Sequence, residues 1–345
     1  MRIKRLGRTG LQVTEIGLGA IPIQRRTLED GARVVERCLE LGINFIDTAN
    51  GYTDSEEKIG RAIAGRRREE LVIATKSNRR DKKGVLEHID LSLRRLGTDY
   101  LDLLQLHNLT TLDELAQVTG PGGAMEGLRE AQEAGKLRHI GVTSHSFANT
   151  PAFLRTGLFE TIQIPFNFIA TDAEREIFPL AQAMEIGVIG MKPFAGGAIE
   201  DARLAFKFLQ RYDFLVSIPG IEVIAEVEAI ARIIEERPSL TPADEAEIER
   251  IRAELGTRFC RRCQYCYPCP QGIKVALVNG IDSFIRRMPR ERMLTGWIAE
   301  ALAEAQGCQQ CGLCEERCPY HLPVRELLQE GLDTYARWRE TSTLS

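Results

Sequence analysis

Eight of the nine cysteines in this 345-residue chain crowd into residues 260–318, in two runs of four. Cys260, Cys263, Cys266 and Cys269 form the first run. Cys308, Cys311, Cys314 and Cys318 form the second, and each run closes on Cys-Pro. Thiolates spaced by two residues wrap a tight loop around a metal centre. A disulfide scaffold would need a secretory signal and would seldom leave everything before residue 260 with Cys38 alone. Zinc also takes Cys-x2-Cys pairs. It rarely needs three such steps in a row followed by Cys-Pro, so iron–sulfur clusters are favoured. Cys38, inside VVERCLELG, reads as a small buried apolar residue. A second chemical set is made of Asp47, Tyr52, Lys76 and His107, each at or just after the end of a short apolar run. A buried Asp and Lys must compensate each other. A Tyr beside Lys⁺ becomes a proton donor near neutral pH, and a His can orient a carbonyl oxygen at the same point.

The runs that must position this second set number eight: 14–19, 43–48, 71–76, 101–107, 138–144, 161–166, 187–192 and 214–219. They are apolar throughout, not alternating, which indicates strands buried on both faces and hence a parallel sheet. Amphipathic helical stretches separate them, several closing on Gly before the next strand. Eight β/α units in this length predict a (β/α)8 TIM barrel, where reactive residues gather at the C-terminal ends of strands. An open doubly wound sheet is the rival, but its Gly-rich turn after the first strand is missing. Residues 2–12 read as a short hairpin that could plug the barrel bottom, and Arg66–Arg68 as a solvated turn at that opposite face. The reading gives a barrel over 1–240, a linker helix over 241–256 led by Thr241, and a cysteine-bearing domain over 257–345. Hydrophobic residues at 43%, charged residues at 27% and a formal charge of −4 suit a globular enzyme and give no reason to expect nucleic acid. No run has membrane-span length and the N-terminus has no signal-peptide core, so a cytoplasmic location with no membrane partner is expected.

The segments FIDTANGYTDSEEKIGRAI, LVIATK and LDLLQLHN resemble those of the aldo-keto reductase superfamily. The likeness continues through KLRHIGVTSHS, IQIPFN, MKPFAGG and SIPGIEVIAEVEA and covers roughly residues 2–236. In that family an Asp, Tyr, Lys and His form a catalytic tetrad, which the resemblance assigns to Asp47, Tyr52, Lys76 and His107. It further implies NADP(H) or NAD(H) stretched across the barrel mouth. Ser144 and Gln163 would hold the carboxamide, while Met191, Lys192, Pro193, Phe194 and Gly196, with Ser217, Pro219 and Gly220, would line the pyrophosphate and adenosine path. Two departures stand out. Met191 occupies the place where an aromatic residue usually stacks on the nicotinamide. After SIPG the chain has Gly220, Glu222 and Glu226 in place of the basic residues that hold a 2′-phosphate, although Lys192 or Arg203 could reach it. A nucleotide preference below about tenfold is therefore expected. His145 reads as a loop residue.

The second cysteine run fits the bacterial ferredoxin pattern Cys-x2-Cys-x2-Cys-x3-Cys-Pro, whose last Cys serves the other cluster. The first run is one residue shorter before its last Cys. With CQYCYPCPQGI, the tail resembles the ferredoxin-like domain found on one branch of aldo-keto reductases. That implies a small, mainly helical domain with two [4Fe-4S] clusters. Cluster one takes Cys260, Cys263, Cys266 and Cys318; cluster two takes Cys269, Cys308, Cys311 and Cys314. Between the runs, 273–305 reads as a helical insertion carrying Arg286, Arg287, Arg290 and Arg292, either a solvated face or a dock for an acidic electron carrier. The implied function is an oxidoreductase acting on a small carbonyl or alcohol, its clusters relaying electrons to or from a ferredoxin- or flavodoxin-like carrier. Two alternatives stay open: clusters that only fold the tail, or a redox-sensing barrel with little turnover. Nicotinamide moves two electrons as hydride and a cluster moves one, and the chain has no flavin signature to bridge them.

Overall fold

All eight apolar runs become strands, and the two-residue side-chain period of each one decides what enters the interior. The computed structural model describes residues 1–343; residues 344 and 345, the end of the 257–345 segment, lie outside the described residues. A short hairpin of β1 (Ile3–Arg5) and β2 (Gln12–Thr14) comes first, paired antiparallel. Eight strands follow: β3 (Leu18–Gly19), β4 (Phe45–Asp47), β5 (Val72–Ser77), β6 (Leu101–Leu106), β7 (Leu137–Thr143), β8 (Thr161–Pro165), β9 (Gly187–Met191) and β10 (Leu215–Ile218). Each pairs in parallel with the next in sequence. β10 returns to β3 through Gly17 N to Ser217 O at 2.8 Å and Gly19 N to Pro219 O at 2.9 Å, which closes the barrel. Helices cover the outside. Lys82–Leu96, for instance, starts where the Asp81 side chain accepts from Gly84 N and ends at left-handed Gly97.

Leu6 and Val13 from the hairpin region join Phe45, Val72, Ala74, Leu103, Ile189 and Val216 in one interior cluster, so the hairpin does plug the barrel. Gly187 must lack a side chain here, since a Cβ would come within 2.7 Å of Leu6 Cγ. Arg68 departs from the solvated turn expected of 66–68. Its guanidinium lies 2.7 Å from the buried Asp102 carboxylate and 4.2 Å from the Tyr100 ring centre, tying the end of the barrel together. Since Val72 and Ala74 face the interior, the two-residue period brings Lys76 to the same side, at the opposite end of β5.

The described residues divide into two compact units: Met1–Ala195 with Ile199–Leu240, and Gly196–Ala198 with Thr241 onward. The second unit is helical. Helix Pro242–Gly256 begins on a Thr241–Asp244 capping box, and Arg261 donates back to the Gly256 carbonyl. Helix 241–256, read as a linker, thus groups with this unit. The 273–305 segment is four short helices, Val275–Val278, Ile281–Ile285, Arg290–Leu294 and Trp297–Ala305. Gly280, Pro289 and Gly296 stand at its breaks. With helix Val324–Thr343 these bury a core of Ile273, Val278, Ile281, Met293, Ile298 and Leu328. Among the described residues, no helix is long and apolar enough to cross a membrane.

Candidate active site and cysteine centre

The carboxylate at the end of β4 and the ammonium near the end of β5 meet directly. Lys76 Nζ donates to Asp47 Oδ1 at 2.6 Å and to the Thr48 carbonyl at 2.5 Å, with both side chains almost fully buried. Burial pushes the Asp47 carboxyl above its ordinary pKa, and the Lys76 ammonium opposes that push. Lys76 Nζ also stands 5.3 Å from the Tyr52 ring centre. Tyr52 in turn meets His107 edge-on, ring centres 5.8 Å apart at 78°. All four expected catalytic residues therefore come together. Burial, then the Lys76 and Arg80 charges, push the His107 imidazole down to about 3, so it is neutral at physiological pH. A neutral ring keeps one N–H donor and one acceptor nitrogen.

Two supports of this group escaped the reading of the sequence. Gln105 Nε2 lies 3.3 Å from Asp47 Oδ2 and 2.8 Å from Gln163 Oε1, joining the ion pair to an expected cofactor ligand. Its signal was there, for Gln105 precedes His107 by two residues and so shares its face. Arg80 donates to the carbonyls of His107 and Asn108 at 2.9 and 3.2 Å and pairs with Glu114 at 3.2 Å, fixing the loop that presents the imidazole. No local pattern marks such a long-range contact.

The expected cofactor residues are placed more variously. Gln163 can make four hydrogen bonds, so its contact with Gln105 leaves capacity for a second amide. The Ser217 hydroxyl is buried with no hydrogen-bond partner among the described residues. These two features fit a polar ligand bound at the mouth. The Ser144 hydroxyl is committed to the Leu109 carbonyl at 2.7 Å. Met191 packs down onto the barrel core, Pro193 is buried, and Phe194 stacks edge-on against Phe206. Lys192 adopts a left-handed φ of 58°, and its Nζ sits 3.4 Å from His145 Nε2, so His145 is more than a loop residue. Gly19 NH bonds the Pro219 carbonyl, and Gly220 lies against Pro22. Gly196 falls in the second unit. Of the basic and acidic residues weighed for the nucleotide, Arg203 pairs with Glu236 and Glu226 caps its own helix through Glu222 N. Glu222 itself pairs with Arg25 at 3.5 Å, a cation from the first βα loop that the reading did not count.

In the second unit, Cys260, Cys266, Cys269, Cys308 and Cys314 pack against the core, Cys318 is part of it, and Cys311 is exposed. A cavity is lined by Cys266, Cys269, Cys308, Cys311 and Cys314. On the other side, burial and then the Cys260 and Cys318 thiols push Cys263 up to about 11. Burial with Cys260 and Cys263 pushes Cys266 up to about 12. Cys318 thus stands near Cys263, and Cys269 shares a cavity with Cys308, Cys311 and Cys314, which Cys266 lines as well. Among the described residues no three Cys, His, Asp or Glu side chains converge on one point as a single ion with bonds of about 2.3 Å demands.

Comparison with known proteins adds to this geometry. The model of the aldo/keto reductase family matches residues 15–207, and that of a 4Fe-4S dicluster domain matches residues 259–323. The chain is 29% identical over 218 residues to the uncharacterized oxidoreductase YqkF of Bacillus subtilis, a match covering 59% of this chain and 68% of that protein. Among solved structures it resembles the holo form of aldo-keto reductase AKR11C1 from Bacillus halodurans. The TM-score there is 0.64 and the identity 26%, over 73% of this chain and 96% of the other. An aldo-keto reductase from Klebsiella pneumoniae, solved in complex with NADPH, shares the fold with TM-score 0.62 and 24% identity, over 72% and 94% of the two chains.

Proposed function

Because the chain belongs to the aldo/keto reductase family and carries a 4Fe-4S dicluster domain, we propose that it is a nicotinamide-dependent oxidoreductase. It would act on a small carbonyl or alcohol at the barrel mouth, with the clusters relaying electrons to or from a redox partner. The observation that carries this reading is the meeting of Tyr52, Lys76 and His107 on the buried Asp47. Hydride exchange with the carbonyl carbon is the chemistry a bound nicotinamide would supply, NADP(H) or NAD(H). Tyr52 gives its phenolic proton to the carbonyl oxygen as charge develops there. Lys76 stabilises the resulting negative charge on the phenol oxygen, and Asp47 keeps the ammonium in place. The neutral His107 orients the carbonyl, which an imidazolium would instead compete to protonate. Gln163, braced by Gln105, supports the carboxamide.

Single-electron exchange is what the two clusters would supply on Cys260, Cys263, Cys266 and Cys318, and on Cys269, Cys308, Cys311 and Cys314. A second reading has support too: the thiols pack into the second unit's core, so clusters that only hold that unit folded would suit the same packing.

The test is an anaerobic assay of carbonyl reduction, preceded by titration of NADPH and NADH to fix their affinities. Tyr52→Phe should lower kcat by about 100-fold or more while leaving cofactor affinity unchanged, since its hydroxyl acts only as charge develops. Near-normal turnover in that variant would place the chemistry elsewhere. Failure of both cofactors to bind would favour a sensing role.

A further inference from the structure

The two clusters need not meet the outside at the same place. Electron tunnelling weakens steeply with distance, so exchange occurs where a ligand reaches the surface. Of the eight thiols in the two runs only Cys311 is exposed; Cys318 is buried and the other six are half-buried. In the stretch just before Cys311 the exposed residues are Gln306, Gly307, Gln309 and Gln310, all uncharged, and the exposed charges that flank this stretch, Glu304 and Glu316 against Arg317, nearly cancel. Gln309 is held by Gln271 at 3.1 Å. Two of the cations beside this patch are held in place. Arg325 pairs with Glu315 at 2.7 Å and donates to the Gln310 carbonyl at 3.2 Å, and Arg317 donates to the Pro268 carbonyl at 2.7 Å. The first set is covered differently. Arg261 lies 3.8 Å over the Tyr320 ring and Arg262 4.8 Å over Phe284. The arginine group singled out in the sequence is also divided. Arg286 donates to the Gly197 carbonyl at 2.8 Å, Arg287 lies 5.1 Å over Phe284, and Arg290 and Arg292 remain exposed.

We propose that the cluster on Cys269, Cys308, Cys311 and Cys314 is the one that exchanges electrons with the outside, through the glutamine face around Cys311. The face takes a small one-electron carrier protein whose own docking surface is weakly charged. This rests on the reading that the clusters relay electrons. The step is a single-electron exchange in which the reduced carrier loses one electron and the cluster iron gains it, and no bond or proton moves. Arg290 and Arg292 are then not the docking residues.

The experiment uses the anaerobically purified holoprotein and reduced methyl viologen, a cationic one-electron donor, with bleaching of cluster absorbance followed by stopped flow. The wild-type rate should vary little with salt. Gln306→Glu with Gln309→Glu, nearly isosteric, should speed bleaching about threefold or more at low ionic strength, the gain fading as salt rises. Gln309→Lys should slow it. Arg290→Gln with Arg292→Gln should leave it unchanged. Iron content of each variant establishes that both clusters are present. A rate that ignores the glutamine substitutions, or that follows the arginine pair, overturns the proposal while leaving the relay intact. Clusters that the viologen cannot reduce at any salt overturn the relay and this proposal together.

Discussion

The two units solve opposite problems of burying ionisable groups. In the barrel, each buried charge has a partner from the chain itself: Asp47 faces Lys76, Arg80 faces Glu114, and His107 stays neutral. The second unit gathers thiols: burial and neighbouring thiols push Cys263 up to about 11 and Cys266 up to about 12, while the Arg325 cation lies near Cys308 and Cys314. The barrel site is therefore pre-organised by sequence, whereas the cysteine unit needs a group from outside the chain to become what it is. That difference can be broken or sharpened by experiment.

The largest effect should come from removing the clusters. We expect about eight iron and eight sulfide per chain. Anaerobic chelation should unfold the second unit, since metal binding supplies on the order of 10 kcal/mol of folding energy in small metal-dependent domains. Circular dichroism with limited proteolysis should show the barrel persisting; loss of the barrel first would erase the distinction. Next in size, Lys76→Met should cost the barrel about 3–5 kcal/mol, because it strands Asp47 without its cation. Adding Asp47→Asn should recover part of that, as urea denaturation can measure. An unchanged midpoint in the single variant would mean the pair contributes no mutual compensation. A third effect is with pH. His107 titrates near its ordinary 6.5 when unfolded but at about 3 when folded. As pH falls below 6.5 the unfolded chain takes up the proton first, so barrel stability should decline from pH 6.5 toward 3 and be flat above. His107→Gln should flatten that slope in denaturation midpoints taken across the range.

The sequence was most legible where burial is one-sided in its demands. Strands such as Leu101–Leu106 are enclosed on both faces, so they can only read as apolar runs, and all eight did. Asp47, Lys76 and His107 stood out because charged or polar groups at the ends of such runs need a reason. Gln105 did not, being a neutral amide whose partners lie on β4 and β8. Arg68 was misjudged and Arg25 passed over for the same cause: their partners, Asp102 and Glu222, are distant in sequence. The breaking of 273–305 into four helices was written in Gly280, Pro289 and Gly296, but the helical period there masked them.

Crossed ligation also bears on how the chain is made. Under the ligand sets proposed above, Cys260, Cys263 and Cys266 leave the ribosome first, yet their set would wait for Cys318, the last of the eight to emerge. The set that takes Cys269 is complete at Cys314, slightly earlier. The cluster whose ligands begin the domain is thus the later one to acquire its full set, and a chain ending between Cys314 and Cys318 would carry ligands for the second cluster but only three for the first. On those sets, delivery of both clusters would follow synthesis of nearly the whole tail.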